Sequence, residues 1–154
     1  MTAPNGLHAA RDLAERQRDE AAQLLATVRQ SQAAAQAQLD QLEGYARDTD
    51  ARWSAASGRA ASPEVMQHHY QFMQRLGQAI AMQQRTMDNH AHQVTMRTNG
   101  LREAEARLES LNQVLAQRRK AEAVQERRRE QKAVDEMAAL QYRKLAGKSL
   151  AGGY

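Results

Sequence analysis

Apolar residues recur every three and four positions along two long stretches of the chain. From Leu7 to Trp53 the positions of a heptad seam are apolar at 10 of 14 places, and from Met66 to Leu115 at 11 of 15. A repeat of about 3.5 residues is typical of coiled-coil helices, because it keeps the apolar stripe facing a partner helix. The sequence therefore predicts two long helices that pack along one seam.

A short break separates the two periodic stretches. Pro63 follows a run of small residues, and Ser62 before it suits the N-cap of a new helix. Such a short connection predicts that the helices fold back on each other. The predicted fold is all-α, an antiparallel two-helix coiled-coil hairpin in a single domain over 1–154. We expect helix one at about 7–53, the connection at about 54–62, helix two at about 63–146, and frayed ends at 1–6 and 147–154.

The expected pairing leaves the second helix longer than the first. If Trp53 faces Met66 at the hairpin end, Leu7 lies opposite Leu111, and helix one ends there. From Arg118 onward helix two therefore has no partner helix, which agrees with the lack of an apolar stripe over 118–132. We expect an unpaired basic arm that projects on the order of 45 Å.

Charge is concentrated in this arm. Residues 118–154 carry 10 Lys and Arg against 5 Asp and Glu, whereas residues 1–117 carry 12 against 13. One interpretation is a solvated helix held by its own ion pairs. A protein-docking arm is favoured over it, because Val134, Met137, Leu140 and Tyr142 restore apolar residues beyond the charged stretch. Nucleic acid is a weaker alternative, since interleaved glutamates repel phosphates and no aromatic residue offers a stacking platform.

Aromatic residues gather near the hairpin end. Tyr45 and Phe72 both lie off the predicted seam, on neighbouring lines of the two helices. They either broaden the packing between the helices or form an exposed ridge for a partner. We favour the ridge, because Tyr and Phe are efficient interface anchors.

Composition excludes several classes of function. The chain has one Phe, one Trp and no Cys, so neither a large aromatic core nor a thiol site is expected. We see no leader and no membrane-spanning run, and expect a soluble intracellular protein. The histidine pairs 68/69 and 90/92 do not direct two imidazoles at one ion. We therefore predict no enzyme, no metal, no cofactor and no small-molecule substrate.

Three stretches of the chain resemble the flagellar export protein FliJ family. They are LHAARDLAERQRDEAAQLLATVRQSQAAAQAQLDQLEGY at the start, YQFMQRLGQAI after the break, and EQKAVDEMA near the end. The aromatic YQF segment is the most specific of them. The resemblance implies an antiparallel two-helix coiled coil, similar to the central stalk of rotary ATPases, that acts in flagellar type III export.

The resemblance also implies two binding sites. The surface that faces the membrane export gate protein in the family uses a polar, leucine and aromatic line on helix one and an aromatic and leucine line on helix two. Thr49 and Gln83 depart from that pattern at its edges. The positions that match it are Gln38, Leu42, Tyr45, Phe72, Leu76 and Ala79. The terminal region faces the hexameric export ATPase, and the candidates here are Arg118, Arg119, Arg127, Arg128, Arg129 and Lys132.

The function expected from the resemblance is a stalk or adaptor that links the export ATPase hexamer to the gate. An escort role for export chaperones and a location at the cytoplasmic side of the inner membrane go with it. The alternatives are the stalk of a virulence-type secretion system, a basic coiled-coil nucleic-acid binder, and a self-associating rod.

Overall fold

The computed structural model describes residues 4–56 and 62–151, which form two α-helices. Helix α1 spans Pro4–Ala56 and helix α2 spans Pro63–Ala151. The described residues contain no strand, and the two helices pack against each other. The predicted all-α helical hairpin is thus confirmed. Within these ranges, neither helix holds a stretch long and apolar enough to cross a membrane.

The helix ends differ from the expected ones. Helix α1 starts at Pro4 because proline fits the first turn, where its missing N–H has no helical partner to bond. Helix α2 continues over 147–151, where frayed residues were expected, because the single Gly147 costs a helix only about 1 kcal/mol. The central part of the connection, 57–61, and the outermost residues, 1–3 and 152–154, lie outside the described residues.

Helix α2 begins at a capped proline. The hydroxyl of Ser62 accepts a hydrogen bond from the backbone N–H of Val65 at 3.3 Å, and its carbonyl accepts one from Met66 at 3.1 Å. These bonds satisfy N–H groups that the first helical turn leaves without partners. The Ser-Pro pair therefore starts the helix by the mechanism that the sequence indicates.

The chain divides into two compact units, of which the hairpin unit is Leu13–Arg107. In this unit every predicted seam position of α1 is buried or half-buried. The same holds for α2 except at Met66 and Arg97, which are exposed. The Arg97 side chain stays in solvent although its position is on the seam, because burying an unpaired guanidinium is costly. The buried residues of this unit are Ala14, Leu25, Ala35, Leu39 and Leu76.

At the hairpin end Trp53 contacts a ring one turn further along α2 than Met66. Trp53 stacks on His69, with ring centroids 3.9 Å apart and planes 5° from parallel, while Met66 remains 55% exposed. Trp53 therefore packs on His69, the seam residue one turn beyond Met66.

The terminal unit contains Met1–Asp12 and Leu108–Tyr154. Leu7, Leu108 and Leu111 are half-buried, and Leu115 is buried. Beyond Leu115 every described side chain of α2 is exposed. The seam in this unit therefore ends at Leu115, where the sequence predicted its end, and the rest of α2 is a single helix covered by solvent.

Candidate functional site

The residues predicted to face a partner near the hairpin end come together across the two helices. We call Gln38, Leu42, Tyr45, Phe72, Leu76 and Ala79 the aromatic surface. Tyr45 of α1 meets Phe72 of α2 edge to face, with ring centroids 6.0 Å apart and an angle of 79° between the planes. Such T-shaped pairs contribute about 0.5–1.5 kcal/mol beyond the area they bury. The two lines therefore form one continuous surface.

The members of the aromatic surface differ in exposure. Tyr45 is 55% exposed and Phe72 39%, so both rings remain open to solvent although they contact each other. Leu42 and Ala79 are half-buried, whereas Leu76 is only 8% exposed and belongs to the core. The two aromatic rings and Gln38 thus provide the accessible part of the surface, and the leucines pack beneath it.

An open groove of about 480 Å³ lies beside Tyr45. Its lining residues are Gln38, Gln41, Leu42, Tyr45 and Gln83. Three amides and a phenol surround an apolar base, which suits the backbone and apolar side chains of a polypeptide. The groove is therefore equipped for binding.

Gln83 builds one wall of this groove. Its side-chain amide nitrogen donates to the backbone carbonyl of Ala35 at 2.9 Å and to the side-chain oxygen of Gln38 at 3.2 Å. These bonds cross from α2 to α1 and hold Gln38 at the rim. In the sequence, Gln83 departs from the family pattern, and Gln41 is not among the predicted site residues. The available signal was that Gln83 is a polar residue at a seam position.

The six basic candidates all lie in the terminal unit. Each is exposed, and they follow α2 beyond the last seam residue. Arg118 and Arg119 contribute to a small pocket of about 50 Å³ that also includes His8, Leu115 and Glu122. Two of the candidates are therefore near the start of α1, while Arg127–Arg129 and Lys132 lie on the single helix. The proximity of His8 to Arg118 and Arg119 was not predicted from the sequence.

The last segment of α2 presents apolar side chains to solvent. Val134, Met137, Leu140 and Tyr142 are all more than half exposed, as are Leu145 and Leu150. In the neighbouring turn the Gln131 amide donates to the Asp135 carboxylate at 3.1 Å, one helical turn away. This segment is therefore supported by its own helix and leaves its apolar groups available.

Two of the histidines take part in the packing between the helices. His69 stacks on Trp53, and His90 is half-buried on the seam. His68 and His92 are exposed. In the part of the chain that the structure describes, no three His, Asp or Glu side chains gather as a metal site would require. The imidazoles at the seam thus contribute packing between the helices.

Comparison with known proteins adds one finding to this geometry. The family model described as flagellar FliJ protein matches residues 6–147, which is nearly the whole chain. No curated protein matches the chain. The match includes both the aromatic surface and the six basic candidates.

Proposed function

The chain belongs to the flagellar FliJ family, and from this premise we propose that it is an adaptor between the export ATPase hexamer and the membrane export gate protein. The family is a non-catalytic component of the flagellar export apparatus, so the chain has its place in that apparatus. The observation that carries the adaptor proposal is that two chemically different surfaces lie in two different compact units. The simplest interpretation is that each of the two surfaces binds a different partner.

The gate protein is the partner that we assign to the aromatic surface. Tyr45 and Phe72 supply large rings that lose little conformational entropy on binding, because each ring has only two rotatable side-chain bonds. Their mutual contact already orders both rings before a partner arrives. Aromatic side chains that are already ordered and rest on a packed apolar layer are typical of interface hot spots. The groove beside them accepts the partner's polypeptide.

The export ATPase is the partner that we assign to the basic arm. The six cations are exposed on the described part of α2 beyond Leu115, where acidic groups of a ring can reach them. A component that binds the assembled hexamer better than separate subunits favours the hexamer by mass action. ATP hydrolysis that depends on the ring should then increase. Export chaperones are further proposed partners, and we expect these complexes at the cytoplasmic side of the inner membrane.

The experiment that tests the adaptor is ATP hydrolysis by the cognate flagellar export ATPase. The full chain should stimulate hydrolysis at concentrations where rings form, and residues 1–117 should not. A full-length variant with Arg127, Arg128 and Arg129 replaced by Gln should also lose stimulation. Its matched control replaces three exposed arginines of the hairpin unit by Gln, with the same change in charge. The control positions are Arg75, Arg85 and Arg102.

Two results would contradict this assignment. If neither the full chain nor the control changes hydrolysis, the chain does not act on the ATPase. If the control loses stimulation as fully as the arm variant, total charge matters and the arm is not a specific site. Binding to the cytoplasmic part of the gate protein, measured by calorimetry, should be unchanged in the arm variant.

A further inference from the structure

One side of the hairpin unit is uncharged over a length of about 30 Å. Near the hairpin end of this side, Tyr45 meets Phe72. Four heptads before Tyr45, the side-chain oxygen of Gln17 accepts a hydrogen bond from Arg107 at 3.1 Å, and Arg107 lies five heptads after Phe72. Positions at heptad spacing between these two contacts therefore line the same side of both helices.

Two rows of residues make up this side, which we call the uncharged face. On α1 the row is Leu24, Thr27, Ser31, Ala34, Gln38, Gln41 and Tyr45. On α2 the row is Ala79, Met82, Thr86, Asn89, Gln93, Met96 and Gly100. All of these residues are exposed except Ala79, which is half-buried. Over the same span, the opposite side of the helices carries Arg29, Asp40, Glu43 and Asp88. The lack of charge is thus a property of one side only.

Exposed apolar side chains are spaced along the uncharged face. Leu24 is 46% exposed, Tyr45 55%, Met82 67% and Met96 55%. At the centres of protein interfaces, charged residues are depleted, and aromatic residues and methionine are enriched. The uncharged face therefore has the composition of a protein interface.

The uncharged face is complementary to itself under a twofold rotation. In a twofold dimer, residues at equal distances on either side of the axis contact each other across the interface. With the axis at Ala34 and Asn89, Leu24 faces Tyr45 of the second copy, and Met82 faces Met96 of the second copy. The two Asn89 amides can pair, because an amide both donates and accepts hydrogen bonds. Each exposed apolar residue of one copy thus meets an apolar residue of the other.

Charges beyond the two ends of the uncharged face select an antiparallel arrangement. The hairpin end has two arginines against one aspartate, and the other end has two glutamates against one arginine. These residues are Arg52, Arg75 and Asp48 at the hairpin end, and Glu20, Glu103 and Arg107 at the other. An antiparallel copy brings opposite net charges together at both ends, whereas a parallel copy brings like charges together.

One ion pair between copies follows from this arrangement. Arg75 and Glu103 each lie 14 residues from Asn89, on either side, so they face each other across the axis. Glu20 and Asp48 also face each other, and Arg52, one turn from Asp48, offsets their repulsion. We propose that the hairpin unit pairs with a second, antiparallel copy of this chain through the uncharged face.

The size of the uncharged face indicates a reversible dimer. A length of about 30 Å and the width of two helices, roughly 20 Å, give on the order of 600 Å² per copy. The total of about 1,200 Å² is at the lower limit of specific interfaces. The dimer goes beyond the adaptor function and does not depend on it. One consequence does rest on the proposed function: a paired copy covers Tyr45, so the dimer and the complex with the gate protein exclude each other.

The test is sedimentation equilibrium of the full chain. The chain should form a dimer with a dissociation constant of about 100 µM or less. Ala34→Glu places two carboxylates together at the axis and should raise the dissociation constant at least about tenfold. The matched control is Ala33→Glu, because Ala33 is the neighbouring exposed alanine on the opposite side of α1. It adds the same charge and should leave the dimer unchanged. Circular dichroism establishes that the variants keep their helix content.

A charge exchange tests the antiparallel orientation. Arg75→Glu and Glu103→Arg should each weaken the dimer about fivefold or more, since each creates two like-charge contacts across the twofold axis. The two changes combined in one chain should restore the dimer. Positions 75 and 103 lie 28 residues apart on α2, which is about 42 Å along the helix. A contact within one chain therefore does not account for such a rescue.

Three outcomes would overturn the proposal. A chain that stays monomeric up to about 100 µM forms no dimer of this kind. Equal loss of dimer in Ala33→Glu and Ala34→Glu would show that the uncharged face is not the contact. A double variant that dimerises no better than the single ones would exclude the antiparallel pairing. Every readout uses this chain alone, so its failure is distinguishable from failure of the gate or ATPase assignments.

Discussion

Replacing Tyr45 by Ala separates the role of the aromatic surface in binding from its role in packing. Full burial of a large apolar side chain contributes about 1.5–3 kcal/mol, and Tyr45 is less than half buried. Loss of that burial and of the edge contact with Phe72 should destabilise the hairpin by about 1–2 kcal/mol. Leu76→Ala, at a core position, should cost about 2–5 kcal/mol. The free energies of unfolding are measured by urea titration with far-UV circular dichroism.

The two variants, Tyr45→Ala and Leu76→Ala, should rank in the opposite order by their effect on affinity for the gate protein. If Tyr45 is an interface anchor, Tyr45→Ala should lower affinity for the cytoplasmic part of the gate protein by about 2 kcal/mol or more, which is roughly thirtyfold. Tyr70→Ala is the matched control, because Tyr70 is 63% exposed and contacts Gln74 of its own helix, at 3.3 Å. Its removal should leave affinity unchanged. Calorimetry measures the affinity of the Tyr45→Ala, Leu76→Ala and Tyr70→Ala variants for the cytoplasmic part of the gate protein.

Two results would refute the anchoring role of Tyr45. If Tyr45→Ala lowers stability as much as Leu76→Ala, Tyr45 is a packing residue. If Tyr70→Ala lowers gate affinity as much as Tyr45→Ala, the interface is not the aromatic surface, and the assignment of Tyr45 and Phe72 falls with it.

Three further predictions concern the hairpin. Gly77→Ala should stabilise it by about 0.5–1 kcal/mol in urea titration, because a Cβ there meets no atom within 4 Å and the backbone is helical; a loss of stability would contradict the geometry. Gln83→Ala should destabilise it by about 1–2 kcal/mol in the same titration, through loss of the bonds to Ala35 and Gln38. His69→Ala should shift the fluorescence of Trp53, the only tryptophan, to longer wavelength, whereas His69→Phe should largely retain it.

The seam could be predicted almost completely from the sequence. A heptad repeat defines one face of a helix without reference to the partner, so the buried positions follow from spacing alone. Arg97 shows the limit of this rule, since it occupies a seam position and yet is exposed. Its guanidinium prefers water to an apolar interface, and the side chain is long enough to reach it. Arg18 instead reaches acidic neighbours, with its Nε 2.8 Å from the Asp19 carboxylate.

The aromatic surface could be predicted only in part. The spacing indicated that Tyr45 and Phe72 lie on adjoining lines, and the structure brings their rings into contact. Spacing did not indicate that the two rings meet edge to face, nor that Gln83 bridges the helices. Those facts depend on the distance between the helices and on side-chain rotamers, which residues distant in sequence determine together.

The two helices, their seam and the concentration of positive charge beyond Leu115 follow from the amino-acid sequence alone. These are local properties, because helix formation and amphipathicity depend on residues within a few turns. Packing between the helices sets the pairing of Trp53 with His69, the groove beside Tyr45 and the pocket at His8. Each of these features forms only when the two helices are placed relative to each other to within a fraction of a turn. A periodic pattern does not carry that information, since a shift by one turn preserves the match of apolar residues and exchanges every individual contact.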